Sequence, residues 1–141
     1  MYRLIYKSKA NGVIDKESFR DILYTSVQLN RTHGVNGALI ATHNYFLQIL
    51  EGSSEIVHET FARIKDDPRH IDVKIITSES ITEAKFADWR MRGFGLFGLN
   101  LELEVELKKK FGEQDSSIFL PEDKEKVFEL IHDLDMIDTV A

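Results

Sequence analysis

Hydrophobic and polar residues alternate with a period of two in the first segment of the chain, residues 2–8. Leu4 and Tyr6 fall on one side of this segment, and Ile5 falls on the other. Such alternation is typical of a β-strand, in which successive side chains point to opposite faces of the sheet. The pattern therefore predicts a first strand with Tyr6 on the same face as Leu4.

Two helices are predicted where apolar residues recur at intervals of three and four. The first starts after Asp15, a favourable N-cap residue, and runs to about Asn30. The second is capped by Ser53 or Ser54 and stops before Pro68, because the residue before a proline disfavours helix. The apolar residues are Phe19, Ile22, Leu23 and Val27 in the first helix, and Ile56, Val57, Phe61 and Ile64 in the second.

Four further segments have the composition of strands. Residues 38–42 and 45–51 are separated by two residues and predict a β-hairpin, while residues 73–77 predict a fourth strand and residues 87–94 a fifth. In the order β-α-β-β-α-β, both helices cover the same face of a four-stranded antiparallel sheet. We therefore predict an α+β fold, a ferredoxin-like sandwich with an additional fifth strand.

The C-terminal part of the chain predicts two more helices. Residues 101–107 alternate Leu, Glu and Val, but Leu, Glu and Lys favour helix and Asn100 can cap it. Residues 122–137 carry apolar positions at intervals of three and four. We therefore expect two parts: residues 1–97 form the main domain, and residues 98–141 form a helical extension.

The predicted sheet has a second apolar face, which points away from the first two helices. Ile5, Leu47 and Ile49 lie on this face, and an apolar surface of that kind needs a cover. We predict that the two C-terminal helices pack on this opposite face of the sheet.

Acidic residues are concentrated near the C-terminus. The chain has 141 residues and a net charge of −6; residues 1–100 hold 13 basic and 12 acidic side chains, and residues 101–141 hold 5 and 12. This balance does not provide the basic surface that nucleic acid or an anionic membrane requires. The chain has no cysteine, which excludes disulfides and thiol chemistry. With no long apolar run and no leader-like N-terminus, we expect a cytoplasmic protein.

Four motif-based alternatives have little support. Residues 93–98 match the G-x-G-x-x-G dinucleotide motif, but no βαβ unit follows them. Residues 92–95 resemble the start of an RNA-recognition signature, but they lie on the wrong strand, and Leu96 stands where a stacking aromatic is required. The five histidines have no metal-ligand spacing, and no serine-nucleophile motif is present, so we predict neither a metal site nor a hydrolase.

Gln48 is a polar residue in a strand that is apolar on both faces. We expect its amide to be buried between Phe46 and Leu50, where unsatisfied hydrogen-bonding groups cost about 1–3 kcal/mol. Tyr6 shares the helix-facing side of its own strand. Either a Tyr–Gln hydrogen bond in the core or a polar ligand therefore satisfies Gln48.

Five segments together resemble the BLUF domain, the flavin-binding blue-light sensor. They are Tyr-Arg-Leu-Ile-Tyr at 2–6, Asn-Arg-Thr-His-Gly-Val-Asn-Gly-Ala-Leu at 30–39, Phe-Leu-Gln-Ile-Leu-Glu-Gly at 46–52, Asp-Pro-Arg-His at 67–70 and Trp-Arg-Met at 89–91. The combination is specific, whereas each piece alone is weak. The resemblance covers about residues 1–95, and the remainder is similar, less specifically, to the helical extension of short members.

The resemblance implies a cofactor and a mechanism. In this family FAD lies between the two helices, and a glutamine, here Gln48, bridges it to a tyrosine, here Tyr6. Tyr6 would give an electron and a proton to the photoexcited flavin, and Gln48 would rearrange, so that absorption shifts to the red without turnover of a substrate. Asn30 would hold the polar edge of the flavin. Trp89 and Met91 would be the fifth-strand residues that exchange places or relay the signal.

Further positions follow from the same resemblance. Those near the ribityl, phosphate and adenine groups are Arg63, Asp67, Arg69 and His70. Two positions depart from the family pattern, since Leu29 replaces a polar or aromatic residue and Asn36 replaces a serine or threonine. These departures concern the detail of the pocket and the speed of the photocycle.

We interpret the sequence as that of a blue-light photoreceptor that binds FAD, is not an enzyme and signals to a separate protein. A homo-oligomer is expected, with no direct nucleic-acid or membrane partner. The alternative is a flavin-free, ferredoxin-like regulatory or interaction module, and RNA binding comes third. FMN stays open as an alternative flavin.

Overall fold

The computed structural model describes residues 1–140, with side chains described as far as Ile137. These residues form two compact units, the first from Met1 to Phe97 and the second beginning at Gly98. Ala141, the last residue of the predicted extension, lies outside the described residues. Within the described part of the chain, none of the helices is both long and apolar enough to cross a membrane.

The first unit is an α+β sandwich of five strands and two helices, which confirms the predicted fold. Its elements are β1 (Tyr2–Ala10), α1 (Lys16–His33), β2 (Asn36–Ala41), β3 (Tyr45–Gly52), α2 (Ser54–Asp66), β4 (His70–Ser80) and β5 (Arg92–Gly95). The sheet has the order β4-β1-β3-β2-β5. The first four of these strands pair antiparallel, and β5 pairs with β2 in parallel.

The core of this unit includes the face of β1 that carries Leu4 and Tyr6. Phe19 of α1 and Val57 of α2 belong to the same buried cluster. Strands β1 and β3 pair in a register that sets Tyr6 opposite Gln48. The alternation that predicted a strand therefore also brings these two polar side chains together beneath the helices.

Both helices of the first unit begin at the predicted caps. The carboxylate of Asp15 accepts a hydrogen bond from the backbone N–H of Ser18, whose hydroxyl accepts one from the backbone of Asp15. This reciprocal arrangement satisfies two N–H groups that have no partner within the helix. Gly34, with φ of 75°, ends α1 in the left-handed conformation, and Ser53 caps α2.

The predicted fifth strand is shorter than expected and is displaced along the chain. Residues 87–94 were expected to be extended, but β5 covers Arg92–Gly95 only. The backbone N–H of Trp89 donates to the carbonyl of Phe86, so the chain turns there. Met91 has φ of 153°, which is incompatible with an ordinary strand. Trp89 and Met91 therefore lie in the loop before β5, which corrects their predicted place on the strand.

The second unit contains two helices and a short hairpin: α3 (Leu101–Phe111), β6 (Glu113–Gln114), β7 (Ser117–Ile118) and α4 (Lys124–Val140). The helix predicted over residues 101–107 is confirmed, and the Asn100 side chain caps it by accepting from the N–H of Leu103. The segment between these two helices holds the hairpin, and Asp115 and Ser116 adopt the positive φ values that tight hairpin turns require. The packing of the two helices on the opposite sheet face stays a prediction.

Gly37 lies where the backbones of β2 and β3 approach each other closely. A Cβ atom at this position would lie 1.8 Å from the carbonyl oxygen of Ile49, and φ is 153°. We expect Gly37→Ala to lower the free energy of unfolding by roughly 2–4 kcal/mol, through steric clash and backbone strain. Gly34→Ala is the matched control: its Cβ meets nothing within 4 Å, so only about 1 kcal/mol is expected. Equal losses in urea denaturation would contradict this account of Gly37.

Candidate functional site

A cleft with about 630 Å³ of space, including its mouth, opens between α1 and α2. The strands contribute Tyr6, Leu39 and Gln48 to it. The helices, the segment after α2 and the first residue of β4 contribute Ile22, Thr25, Ser26, Leu29, Asn30, Thr60, Arg63, Ile64, Asp67, Arg69 and His70. Seven of the nine predicted site residues therefore line the same cleft.

Tyr6 and Gln48 form a buried hydrogen bond in this cleft. The hydroxyl of Tyr6 donates to Oε1 of Gln48, and both side chains are almost entirely inaccessible to solvent. Burial raises the pKa of the Tyr6 phenol far above its usual range, and the negative charge of Asp67 raises it further. Tyr6 is therefore a neutral phenol, and its hydroxyl proton stays in the hydrogen bond to the Gln48 amide.

The other end of the Gln48 amide has a weak partner. Its Nε2 lies 3.4 Å from the sulfur of Met91. A thioether accepts hydrogen bonds poorly, so the amide is held strongly on its carbonyl side and weakly on its NH₂ side. Met91 thus reaches Gln48 from the loop before β5.

Asn30 supplies a buried donor that is not satisfied within the described residues. It is 3% exposed, lies in the last turns of α1 and lines the cleft, yet its Nδ2 has no hydrogen-bond partner there. A buried amide left in this state costs about 1–3 kcal/mol. A ligand with a hydrogen-bond acceptor in the cleft would satisfy this group. The residues present therefore fit a flavin, whose ring carries carbonyl oxygens and ring nitrogens.

The mouth of the cleft is charged. Arg69 forms a salt bridge with Asp67, with 2.5 Å between Nη2 and Oδ2. Hydrogen bonding to Arg69 holds the pKa of the Asp67 carboxyl below its usual value. Arg63 donates to the hydroxyl of Thr60 at 3.3 Å and is otherwise exposed. Two guanidinium groups at the mouth of the cleft suit a ligand that carries phosphate.

His70 is half-buried between aromatic rings. Its ring centroid lies 4.6 Å from that of Phe46 and 6.0 Å from that of Tyr6. Its Nδ1 is 2.7 Å from the hydroxyl of Ser8. Burial lowers the pKa of His70, and Arg69 lowers it further, although Asp67 acts in the opposite direction. We therefore expect a neutral imidazole in the folded protein near neutral pH.

Trp89 and Met91 are the two predicted site residues that do not line the cleft, and Trp89 is also packed away from Gln48. Its ring centroid is 5.3 Å from that of Phe86 and 6.1 Å from that of Phe94. The Arg92 guanidinium lies 4.9 Å from the centre of the Trp89 ring. In this arrangement Met91 contacts Gln48, while Trp89 is packed in a separate aromatic cluster.

Sequence reasoning missed several polar residues that line the cleft. Thr25 and Ser26 of α1 precede Asn30 by five and four positions, and Thr60 of α2 precedes Arg63 by three. Residues three and four apart share one side of a helix, so this spacing could have identified Ser26 and Thr60. No cluster of three or more metal-binding side chains occurs in the described residues.

The fold and the cleft define a small-molecule-binding α+β domain, with a polar tyrosine–glutamine pair beneath two helices. Residues 1–92 match the family model BLUF, described as sensors of blue-light using FAD, and the chain belongs to this family.

Relatives and solved structures agree with this assignment. The beta subunit of the photoactivated adenylate cyclase of Euglena longa is 29% identical over 92 residues, which are 64% of this chain and 11% of the relative. The chain thus spans about a tenth of the length of the curated relatives that it matches. The structure of BlsA in its ground state has a TM-score of 0.74 and 28% identity, and covers 94% of this chain and 86% of that chain.

A third similarity is to BlrP1 of Klebsiella pneumoniae, in a structure described as containing FMN and cyclic diGMP. Its TM-score is 0.64 at 25% identity, and it covers 78% of this chain and 30% of that chain. Flavin binding is thus a property of the family and of a structural neighbour.

The half-buried His70 predicts a pH dependence of stability. Below about pH 6.5 the unfolded chain protonates this histidine, whereas the folded chain, with its lowered pKa, resists protonation. Stability is therefore expected to fall as pH falls below about 6.5. His70→Gln removes this contribution and is expected to show a smaller decline between about pH 7.5 and 5.5 in urea denaturation. His132→Gln, at an exposed position, is the control and is expected to keep the wild-type slope.

Proposed function

We propose that this chain is a blue-light photoreceptor that holds FAD in the cleft between α1 and α2. The observation that carries the proposal is the buried Tyr6–Gln48 hydrogen bond in the cleft, beside the unsatisfied Asn30 amide. A buried donor without a protein partner is rare in folded proteins and calls for a partner, such as a ligand or a water molecule. Membership of the BLUF family supports the choice of a flavin as that ligand.

The photoactive pair consists of Tyr6 and Gln48. When bound, the flavin supplies absorption of blue light and the capacity to take up and return one electron. Tyr6 holds a transferable proton at its Oη, and burial keeps that proton in place until it is needed. Gln48 orients the phenol through its carbonyl oxygen. Because only the sulfur of Met91 contacts its NH₂ group among the side chains described, the amide can rearrange at little cost.

The other cleft residues bind and orient the cofactor. Nδ2 of Asn30 would donate to the polar edge of the flavin ring, and Arg63, Arg69 and His70 would hold the ribityl and phosphate groups. Asp67 positions Arg69 through their salt bridge. We favour FAD because the family is described by its use, and FMN is the alternative, in line with the FMN-containing BlrP1 structure.

In this proposal the two units have different functions. Residues 1–97 hold the flavin, and residues 98–141 are an extension that carries the signal to a separate protein. The chain itself turns over no substrate, acts in the cytoplasm and forms homo-oligomers, without direct contact with nucleic acid or membrane. Light-controlled cyclases among its relatives support an output through another protein or domain.

Two variants test the photoactive pair in protein loaded with FAD. Tyr6→Phe deletes the hydroxyl and keeps the ring, while Gln48→Leu deletes the amide and roughly keeps the volume. Both proteins are expected to bind FAD, and both are expected to lose the normal red-shifted state, since each lacks one partner of the hydrogen bond. Absorption spectra before and after blue illumination measure the shift. His132→Gln serves as the control that keeps it.

Two outcomes would argue against this function. Purified wild-type protein that stays colourless after incubation with FAD would favour the flavin-free interaction module. A full wild-type shift and recovery in Gln48→Leu would show that another group is responsible for the change in absorption.

The division between the units predicts the behaviour of a shortened chain. A protein that ends at Phe97 is expected to keep FAD and its red shift, because all cleft residues precede that point. It is expected to lose light-dependent capture of a partner in a pull-down performed in darkness and under blue light. Retention of light-dependent capture would show that the extension does not carry the signal.

A further inference from the structure

Glu51 is a buried carboxylate in the strand that carries Gln48. It is 1% exposed and lies three residues after Gln48 in β3. Because side chains alternate along a strand, Glu51 points to the face opposite to Gln48. The same strand therefore carries the photoactive amide on one face and a buried charge on the other.

Arg3 compensates the charge of Glu51. Its Nε lies 2.9 Å and its Nη2 2.8 Å from Oε2 of Glu51, and its Nη1 lies 3.2 Å from Oε1 of Glu79. These residues are direct neighbours across β4, β1 and β3, since Arg3 pairs with both Glu79 and Glu51 in the sheet. Charge-assisted bonds of this geometry hold a carboxylate firmly in place.

Glu51 also binds the backbone of the loop before β5. Its Oε1 accepts from the N–H of Phe86 at 2.9 Å and from the N–H of Lys85 at 3.1 Å. The loop comprises residues 81–91, between β4 and β5. One carboxylate thus joins strand β1, through Arg3, to this loop.

The far end of the same loop meets the other side of the sheet. The carbonyl of Trp89 accepts from the N–H of Gly37 at 2.9 Å, and the Met91 sulfur contacts Gln48. Met91 is held at φ of 153°, which an L-residue adopts only when its surroundings enforce it. The ring of Trp89 packs on Phe86, the residue whose amide Glu51 binds.

On the basis of the proposed function, we infer that Glu51 is a positioning residue for the light response. Glu51 fixes residues 85–86, so that a rearrangement of Gln48 can displace only the following segment, residues 87–91. Because residues 85–86 are fixed, the strained Met91 stays in contact with Gln48, and Trp89 stays packed on Phe86. The movement is thereby directed to Trp89 and Met91 instead of being lost along a loose loop.

The test compares Glu51→Gln with Glu79→Gln in the full-length protein. Glu79→Gln changes the other carboxylate that binds Arg3, and it lies in β4, outside the loop. Amide hydrogen exchange, measured without flavin and with FAD, is expected to show protection reduced roughly tenfold at Lys85, Phe86 and Gly37 in Glu51→Gln, as for loss of a charge-assisted hydrogen bond. The amide of Ile49, in the β1–β3 ladder, is the internal reference and is expected to change little.

Two optical readings complete the test. The chain contains a single tryptophan, so its fluorescence reports on Trp89 alone. In Glu51→Gln we expect stronger quenching by acrylamide in flavin-free protein and a changed rate of recovery of the red-shifted state in FAD-loaded protein. Glu79→Gln is expected to match wild type in both readings. If Glu51→Gln does not fold, Glu51→Asp keeps the charge beside Arg3 but is too short to reach the loop, and the same results are expected.

Two outcomes would overturn the inference. Protection lost equally at Ile49 and in the loop would mean that Glu51 only stabilises the fold. Protection lost only at Lys85 and Phe86, with Gly37 protection, Trp89 fluorescence and the recovery rate unchanged, would mean that Glu51 fixes these two residues without positioning Trp89 or Met91. Failure of the wild type to bind flavin would instead reject the proposed function. Hydrogen exchange and Trp89 fluorescence would still test whether Glu51 fixes the loop before β5.

Discussion

The pairing of Tyr6 with Gln48 across two adjacent strands is the constraint on which the rest of this molecule depends. A phenol and an amide buried beneath two helices are tolerable because each satisfies the other. Their alignment follows from the register of β1 and β3, and that register requires Gly37 to admit the carbonyl of Ile49. The chemistry of the cleft therefore depends on backbone geometry at the centre of the sheet.

Strand β3 connects two kinds of polar interaction. On the cleft side, Gln48 is held firmly at its carbonyl and loosely at its NH₂ group. On the other side, Glu51 joins Arg3 to the loop that carries Trp89 and Met91. Burial strengthens both interactions, because few water molecules compete for the hydrogen bonds. A loosely held amide beside a firmly held loop is a suitable arrangement for a switch of small amplitude.

The polarity of the cleft changes from its interior to its mouth. Buried, uncharged residues such as Tyr6 and Asn30 lie deep in it, and guanidinium groups lie at its mouth. This gradient follows from desolvation, since charges are far less costly at the exposed end. The match of residues 1–92 to the BLUF family accords with it.

Much of the fold could be predicted from the sequence, because strand alternation, helical spacing and caps such as Asp15 and Asn100 act over a few residues. The resemblance to a family also named seven residues that the structure places in one cleft, although their binding roles stay predictions. Only the tertiary structure decided the loop before β5 and the parallel pairing of β5. Those features depend on contacts between distant residues, such as Glu51 with Phe86 and Gly37 with Trp89, which no local pattern records.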